Sequence, residues 1–465
     1  MKNKIDLESL YLKMPVAIQN ALVSIEGWRI QKRRYDGEFF SLFKEKNTWE
    51  QGENKFYQLK HQKKRLKKFL TQAQKSKFWT KRYFEFGIDL SADDIISELS
   101  KLPVLTKPEV KENYSDIDLS SKGEWDTINC HTSGTTGSGL IFPVAKSAEC
   151  AQWATWWRYR FWHGIGFDTW CGYFGGRSLV SLGEKRPPFW RINRPGHQIM
   201  FSAYHLSEQT ASHYIEAINR YKVPWLHGYP STLAYLAGLK KDLALPDTPS
   251  VRVVTVGAES LLFHQKKMIE STFDVPVREH YGMAEGVANI SECPEGCLHV
   301  DEDFSYVEFL KIPQTKNLYK IVGTNWTNPA FPLIRYDTGD IATIENKTCS
   351  CGRMGRVVSN IDGRKEDFVV LPSGAKVGRL DHIFKDMIKI NAAQIFQPEE
   401  GMINLRIVPG KDYSITKDEV ALLSETRKRL GDEIKIIVEY MQELPHTQSG
   451  KLRFVVSDLI ENKVA

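Results

Sequence analysis

Residues 132–140 read Thr-Ser-Gly-Thr-Thr-Gly-Ser-Gly-Leu, small and hydroxylic until Leu140 closes the run. Glycine lets the backbone reach positive φ and approach a ligand closely, and consecutive N–H groups then form a concave anion-binding nest. Hydroxyls add donors at the same spot, so Thr132, Ser133, Gly134, Thr135, Thr136 and Gly137 are candidates to wrap the phosphates of a nucleotide. The run is not a Walker A loop, because no Lys-Ser/Thr follows Gly137 or Gly139 in the required register. Taken alone, such a run also reads as a flexible surface loop. A second chemistry-bearing pattern is Cys293-x-x-x-Cys297-x-His299, followed by Cys349-x-Cys351-Gly352-Arg353. Thiolates and imidazole suit tetrahedral Zn²⁺, and a closed four-ligand site is structural because it leaves no position for substrate. The pattern offers five candidate ligands for those places, and Gly352 permits a tight turn between loop and strand.

The elements that must position these groups change character along the chain. Residues 1–100 read as helical and basic, most clearly in the Lys-His-Gln-Lys-Lys-Arg-Leu-Lys-Lys-Phe-Leu run at 60–70. A basic amphipathic helix can lie on an anionic membrane or on nucleic acid, but the plainer reading is a solvated face with Leu59, Leu66 and Leu70 turned inward. Trp153, Trp156 and Trp157 share one helical face by their i, i+3, i+4 spacing, with Trp162 nearby; core or domain-contact packing is expected of them. From residue 223 strands and helices alternate. Strands are predicted at 223–229, 251–256 and 275–281, with Ser231 or Thr232 capping a helix over 233–241. Strands that end in glycine-containing loops suit an α/β sheet with ligands at the strand ends. The pattern resets after Asp362-Gly363-Arg364, where a boundary to a smaller unit is expected.

Bulk properties exclude several classes. The chain of 465 residues is 42% hydrophobic and 26% charged, a globular composition, and its length implies more than one core. A net charge of +6 fits anionic small molecules without requiring nucleic acid. Seven cysteines, an odd number with two close pairs, favour metal over a disulfide framework. The first residues lead into no apolar run of signal-peptide type, and no uncharged apolar stretch is long enough to span a membrane, so a cytoplasmic location is expected.

Six segments in order carry a resemblance. They are residues 132–140, Gly257-Ala258-Glu259, Tyr281-Gly282-Met283-Ala284-Glu285, Arg335-Tyr336-Asp337-Thr338-Gly339-Asp340, Gly363-Arg364-Lys365-Glu366-Asp367 and Thr447-Gln448-Ser449-Gly450-Lys451. Together they resemble the adenylate-forming superfamily of acyl-CoA synthetases, luciferases and peptide-synthetase adenylation domains. Within it the chain resembles phenylacetate–CoA ligase-like proteins and a capsular-polysaccharide-associated, CapK-like branch. Pointing there are His131, the Gly378-Arg379-Leu380-Asp381-His382-Ile383-Phe384 segment and the cysteine pairs.

The resemblance implies an α/β fold, with a large N-terminal adenylate-forming domain of mixed sheets and helices and a small mobile α+β C-terminal domain. Residues 1–100 would be the helical part of the large domain, 101–362 its nucleotide- and acyl-binding core, and 363–465 the small domain, pivoting near Glu366. ATP, Mg²⁺ and structural Zn²⁺ are the implied cofactors. The reaction is attack of a carboxylate on the α-phosphate, releasing pyrophosphate, followed by acyl transfer to coenzyme A or an amine. Residues 132–137 would hold phosphates and Glu285 the Mg²⁺. Tyr281 would offer its ring to adenine beside Gly257, Ala258, Glu259 and Gly282, and Asp340 would accept the ribose hydroxyls. Arg364 would reach ribose or phosphate, and Lys451 would bridge carboxylate and α-phosphate. Zn²⁺ would take Cys293, His299, Cys349 and Cys351, leaving Cys297 spare.

Departures from the broader family are Ser138-Gly139-Leu140, where many members have Pro or Lys, and a first hundred residues without strong motifs. The acid itself is not named by the sequence. An amide-forming ligase in capsule or O-antigen biosynthesis is the alternative to a CoA ligase. A non-catalytic scaffold of the same fold is opposed by the full set Glu285, Asp340, Arg364 and Lys451. A phosphotransferase is opposed by the missing Walker A lysine.

Overall fold

The computed structural model describes residues 7–50, 55–132, 140–176, 179–259, 261, 263–313, 315, 317–345, 348–362, 369–373, 376–377, 380–384, 390–409, 413–442, 444 and 455–461. Strands β1 (Thr127–His131) and β2 (Ile141–Ala145) form an antiparallel hairpin. A nine-stranded sheet follows, built from β3 (Cys171–Gly175), β4 (Trp190–Asn193), β5 (Gln198–Ser202), β6 (Trp225–Gly228), β7 (Val253–Val256), β8 (Val277–Gly282), β9 (Asn289–Glu292), β10 (Leu298–Val300) and, later in the chain, β14 (Val357–Val358). Its order is β14-β10-β9-β8-β7-β6-β3-β5-β4. The run from β8 through β7, β6 and β3 to β5 is parallel, and both flanks are antiparallel.

Parallel strands connected by helices must be covered on both faces, so their residues alternate between two apolar layers. Phe174, Leu226, Val254 and Val256 pack under the helices Ala211–Arg220, Pro230–Asp242 and Phe263–Phe273. Cys171, Trp225 and Val253 point the other way, toward the helices Gly37–Glu50 and Lys146–Trp162. The helix Val16–Arg34 lies along edge strand β4, where the Asn20 side chain accepts from the Ile192 N–H at 2.9 Å and Ser24 Oγ donates to the Ile192 carbonyl at 3.1 Å. Satisfying an edge in this way removes a template for unwanted pairing.

A second, antiparallel sheet contains β11 (Tyr306–Lys311), β12 (Leu318–Thr324), β13 (Tyr336–Thr343) and β15 (Asn360–Asp362). Beyond it lie the short pair β16 (Val369–Val370) and β17 (Lys376–Val377). A mixed sheet follows, of β18 (Ile390–Gln397), β19 (Met402–Pro409), β20 (Lys435–Tyr440) and β21 (Val455–Ser457), packed with the helix Val420–Leu430. The α/β class and the strands expected at 223–229, 251–256 and 275–281 are present.

Two local expectations need correction. In the basic helix Lys55–Ala73, Leu66 and Leu70 are fully buried but Leu59 is 44% exposed. The helix is docked rather than simply solvated: Gln62 donates to Glu302, and Arg65 Nη1 donates to the Asp303 carbonyl at 2.6 Å. The helix after β6 starts at Pro230, so Ser231 and Thr232 lie inside it and neither caps it. Proline at the first turn has no N–H to satisfy, and Glu259, arriving from the end of β7, accepts from the Ser231 N–H at 3.3 Å. The packing expected of the tryptophans is present in part: Trp157 is buried in the core under the sheet and Trp153 packs against it, while Trp153, Trp156 and Trp157 also line a cavity.

Candidate active site and cysteine cluster

A cavity of about 950 Å³ opens at the carboxyl ends of the parallel strands. In open α/β sheets ligands bind there because the strand ends and their loops leave a crevice. Strand β6 contributes His227 and Gly228, the loop after β7 contributes Gly257, Ala258 and Glu259, and β8 with its following turn contributes Tyr281, Gly282 and Glu285. Thr132 and Asp340 complete that rim from the hairpin and the second sheet.

Backbone geometry explains several of these residue types. A side chain at Gly257 would place Cβ 2.9 Å from the His280 ring, and at Gly282 it would lie 2.8 Å from Asn289 Oδ1. Neither position has room for one. Ala258 holds φ at 69°, a left-handed conformation that costs a non-glycine residue about 1 kcal/mol or more.

Asp340 is aimed by a bulge. Lys320 pairs with Ile341 and Val322 with Asp337, so Thr338, Gly339 and Asp340 together oppose Ile321. Gly339 takes φ 76°, Thr338 Oγ1 donates to the Ile321 carbonyl at 2.9 Å, and the Asp340 N–H donates to Thr338 Oγ1 at 3.1 Å. Bulges re-aim side chains in this way. The Asp340 carboxylate reaches the cavity and accepts from the Tyr281 hydroxyl at 2.7 Å. Burial, and then the Asp340 charge, push the Tyr281 phenol well above its usual range, so it stays protonated as the donor. Glu285 is buried, accepts from the Tyr336 hydroxyl at 3.3 Å, and has its own carbonyl held by Asn325 Nδ2 at 3.2 Å. A buried carboxylate with spare lone pairs, opening on the cavity, fits a divalent cation bound through oxygen.

Thr132 plays a part not foreseen. Its N–H and hydroxyl both engage Leu140: Thr132 N donates to the Leu140 carbonyl at 2.9 Å, and the Leu140 N–H donates to Thr132 Oγ1 at 2.8 Å. Lys107 Nζ donates to the same hydroxyl at 3.3 Å. Thr132 therefore clamps the neck of the loop. Ser133, Gly134, Thr135, Thr136 and Gly137 lie outside the described residues, as do Arg364, Glu366 and Lys451.

Cavity residues that sequence reasoning passed over are Arg160, His227 and His280. Arg160 continues the 153, 156, 157 face at i+7, the one signal that could have exposed it. His280 falls to about 4 through burial and then the Arg160 charge, and His227 is lowered well below its usual value for the same two reasons. Both rings are neutral at pH 7.

At the far edge of the large sheet four predicted ligands meet. Cys293 follows β9, His299 sits on β10, and Cys349 and Cys351 lie in the loop leading to β14. Their ligand atoms all fall within 4.8 Å of one another. Cys293 Sγ and Cys349 Sγ are 3.6 Å apart, and Cys351 Sγ is 3.3 Å from His299 Nε2. Tetrahedral zinc with Zn–S near ~2.3 Å requires sulfur–sulfur edges of roughly 3.8 Å, so the donor set fits that ion. Cys297 is not one of those four, although its thiol also interacts with Cys349; its carbonyl accepts from the Cys293 N–H at 2.8 Å and closes the turn.

The overall architecture is that of adenylate-forming ligases. In a solved complex of 2-hydroxyisobutyryl-CoA ligase with 2-HIB-AMP and CoA, the alignment covers 89% of this chain and 92% of that one, with a TM-score of 0.55 and 17% identity. A complex of the same ligase with R3-HIB-AMP in the postadenylation state aligns at a TM-score of 0.53 with 16% identity, over 87% and 90% of the two chains. The CapK C-terminal domain family matches residues 369–458. Protein CapK of Staphylococcus aureus is 26% identical over 463 residues, 97% of this chain and all of that protein. A phenylacetate-coenzyme A ligase of Thermus thermophilus is 23% identical over 344 residues, 67% of this chain and 71% of that one. The chain is thus similar to Protein CapK along nearly its whole length and to a phenylacetate-coenzyme A ligase over two thirds of it, and it shares the fold of 2-hydroxyisobutyryl-CoA ligase.

Proposed function

We propose that the protein activates a carboxylic acid as an acyl-adenylate and then transfers the acyl group to coenzyme A or an amine. The observation that carries this reading is the convergence of Glu285, the Tyr281–Asp340 pair and the Thr132 neck on one cavity at the carboxyl ends of the parallel strands. In the first step a carboxylate oxygen attacks the α-phosphorus of ATP, the bond from α-phosphorus to the bridging oxygen breaks, and pyrophosphate leaves with that oxygen and its electron pair. The protein's part is positioning and charge stabilisation. Asp340, held by Tyr281, accepts the ribose hydroxyls; the Tyr281 ring and the Gly257-Ala258-Glu259 turn border adenine; residues 132–137 hold the departing phosphates. Mg²⁺ held by Glu285 would neutralise phosphate charge.

By the family resemblance, Lys451 supplies an ammonium between carboxylate and α-phosphate and Arg364 reaches ribose or phosphate, with residues 363–465 as a mobile unit pivoting near Glu366. Cys293, His299, Cys349 and Cys351 hold a structural Zn²⁺ that pins β14 to the β9–β10 edge.

The test is acid-dependent release of pyrophosphate and AMP from ATP across a panel of carboxylic acids, with and without coenzyme A and amines. Release of ADP in place of pyrophosphate, or no acid dependence, refutes the reading. The acceptor that raises turnover distinguishes thioester from amide formation. Among the described residues no helix is long and apolar enough to cross a membrane.

A further inference from the structure

Five arginines among the described residues are buried: Arg82, Arg158, Arg160, Arg191 and Arg335. Four have anionic or carbonyl partners. Arg82 meets Glu109 at 3.2 Å, Arg158 meets Asp301 at 2.6 Å and Asp303 at 3.0 Å, and Arg335 meets Glu308 at 2.9 Å. Arg191 donates to the carbonyl of Pro188 at 2.9 Å. Arg160 differs. Among the described residues its guanidinium is met by aromatic faces alone, at 4.7 Å from Trp157, 5.0 Å from Trp225 and 5.4 Å from Trp153. It is 9% exposed and lines the cavity.

Arg160 thus turns its donors to the cavity, where an oxyanion can complete the fork and offset the cost of holding a guanidinium in a largely buried place. The groups that act most strongly on Arg160 are Tyr35, Cys171, Tyr159 and Arg34, none of them a carboxylate. Arg34 shares the single carboxylate of Glu149 with Arg33, at 2.8 and 2.9 Å, which leaves the pair of arginines with a net positive charge. His227 and His280 are held neutral beside it. Glu279, also on the cavity wall, is pushed up to about 7 by burial and Glu292 and carries a partial charge only. This end of the cavity is thus positive, planar in its donors and aromatic in its walls, which suits a bidentate oxyanion.

Position fixes what the oxyanion belongs to. Trp156, on the same helix face, donates from Nε1 to Asn289 Oδ1 at 2.9 Å and lies against Gly282, at the nucleotide side. Arg160 sits one turn farther along, a rise of ~6 Å. A compact molecule can therefore place one group at the Gly282 side and another on Arg160. We propose that the acid activated here carries a second anionic group, a carboxylate or a phosphate-type group, which Arg160 binds against Trp153, Trp157 and Trp225. This rests on the adenylation reading for the first carboxylate alone.

The test is calorimetric titration of the full-length protein, with an ATP analogue present, using the dicarboxylates from malonate to adipate, 3-phosphonopropionate, and succinamate as the neutral-ended control. Wild type should bind at least one dianion about tenfold or more tighter than its neutral-ended counterpart. Succinate and 3-phosphonopropionate separate a carboxylate from a phosphate-type group. Arg160→Met should erase the preference while keeping affinity for the ATP analogue and the melting temperature, and Arg160→Lys should restore part of it. Equal binding of dianions and the neutral-ended control by wild type, no binding of any dianion, or a preference that survives in Arg160→Met overturns the proposal. If Arg160→Met fails to fold, an undiminished preference in Arg160→Lys also counts against it, because lysine cannot supply the bidentate fork. ATP–pyrophosphate exchange run alongside separates the two readings. A dianion preference without exchange leaves the anion site standing and removes adenylation.

Discussion

Replacing Asp340 by alanine should weaken ATP binding about 100-fold. The carboxylate offers two acceptor oxygens; Tyr281 occupies one lone pair of Oδ2 at 2.7 Å, which leaves capacity for both ribose hydroxyls. Hydrogen bonds to a charged group contribute about 1.5 kcal/mol or more each, so losing two costs about 3 kcal/mol, or roughly two powers of ten in Kd. Tyr281→Phe keeps the ring beside adenine and removes only the donor that orients the carboxylate. Its cost is a single bond, about 0.5–1.5 kcal/mol, or roughly a two- to tenfold weaker Kd. The two residues act through one contact, so the double variant should lose less than the sum of the singles. The assay is calorimetry with ATP, 2′-deoxy-ATP and 2′,3′-dideoxy-ATP. In wild type, removing the ribose hydroxyls should reproduce most of the Asp340→Ala loss, and the variant should barely distinguish the three nucleotides. If Asp340→Ala weakens dideoxy-ATP as much as ATP, the carboxylate does not read the ribose and the reasoning is refuted.

Protein purified without chelator should carry one tightly bound zinc per chain. Structural zinc contributes apparent binding energies of about 10–16 kcal/mol, so Cys349→Ser with Cys351→Ser should lose the metal and unfold at least the β10–β14 edge. Elemental analysis and thermal melting check both points, and an unchanged melting temperature would falsify the site. Lys451→Ala should slow acyl-adenylate formation about 10²–10³-fold, the usual scale for transition-state charge stabilisation. Transfer from a supplied acyl-adenylate should proceed near the normal rate, because a rotated small domain no longer holds Lys451 at the phosphate; equal damage to both half-reactions counts against the assignment. Glu279 is raised to about 7 by burial and by Glu292, with Lys266 opposing. Between its unfolded value and about 7 the folded state binds more protons, so its contribution to stability is present at low pH and is lost as pH rises through 7. Glu279→Gln should therefore raise the denaturation midpoint at pH 8 and leave it nearly unchanged at pH 4.5; a stabilisation equal at both values sinks the argument.

Much of the candidate site was legible because its residues carry local requirements. Gly257 and Gly282 occupy positions without room for a Cβ, and Gly339 takes a left-handed turn, so short motifs mark them. The cysteine spacing is equally local: the turn after β9 and the loop before β14 each deliver their ligands over a few residues. The α/β alternation follows from the apolar period of the parallel strands, which need covering on both faces. Thr132 was legible as a candidate residue but not as the clamp that joins the ends of its loop, since its partners Leu140 and Lys107 come from different elements.

What the sequence by itself determined is the set of residues whose chemistry depends on their immediate neighbours along the chain. The tertiary structure decided which way faces turn and who completes whom. The tryptophans at 153, 156 and 157 satisfy a helical period whether that face meets a core or a cavity, and the tertiary structure gave them both: Trp157 and Trp153 pack in the core beside the sheet, and all three border the crevice. Glu259 caps a helix that starts 29 positions earlier, a bond created by two parallel strands ending side by side. Arg160 reads in sequence as one more basic residue near a helix end. The tertiary structure buries it among aromatic rings and brings no described carboxylate to it, because charge pairing depends on distance in space, and spacing along the chain does not encode that distance.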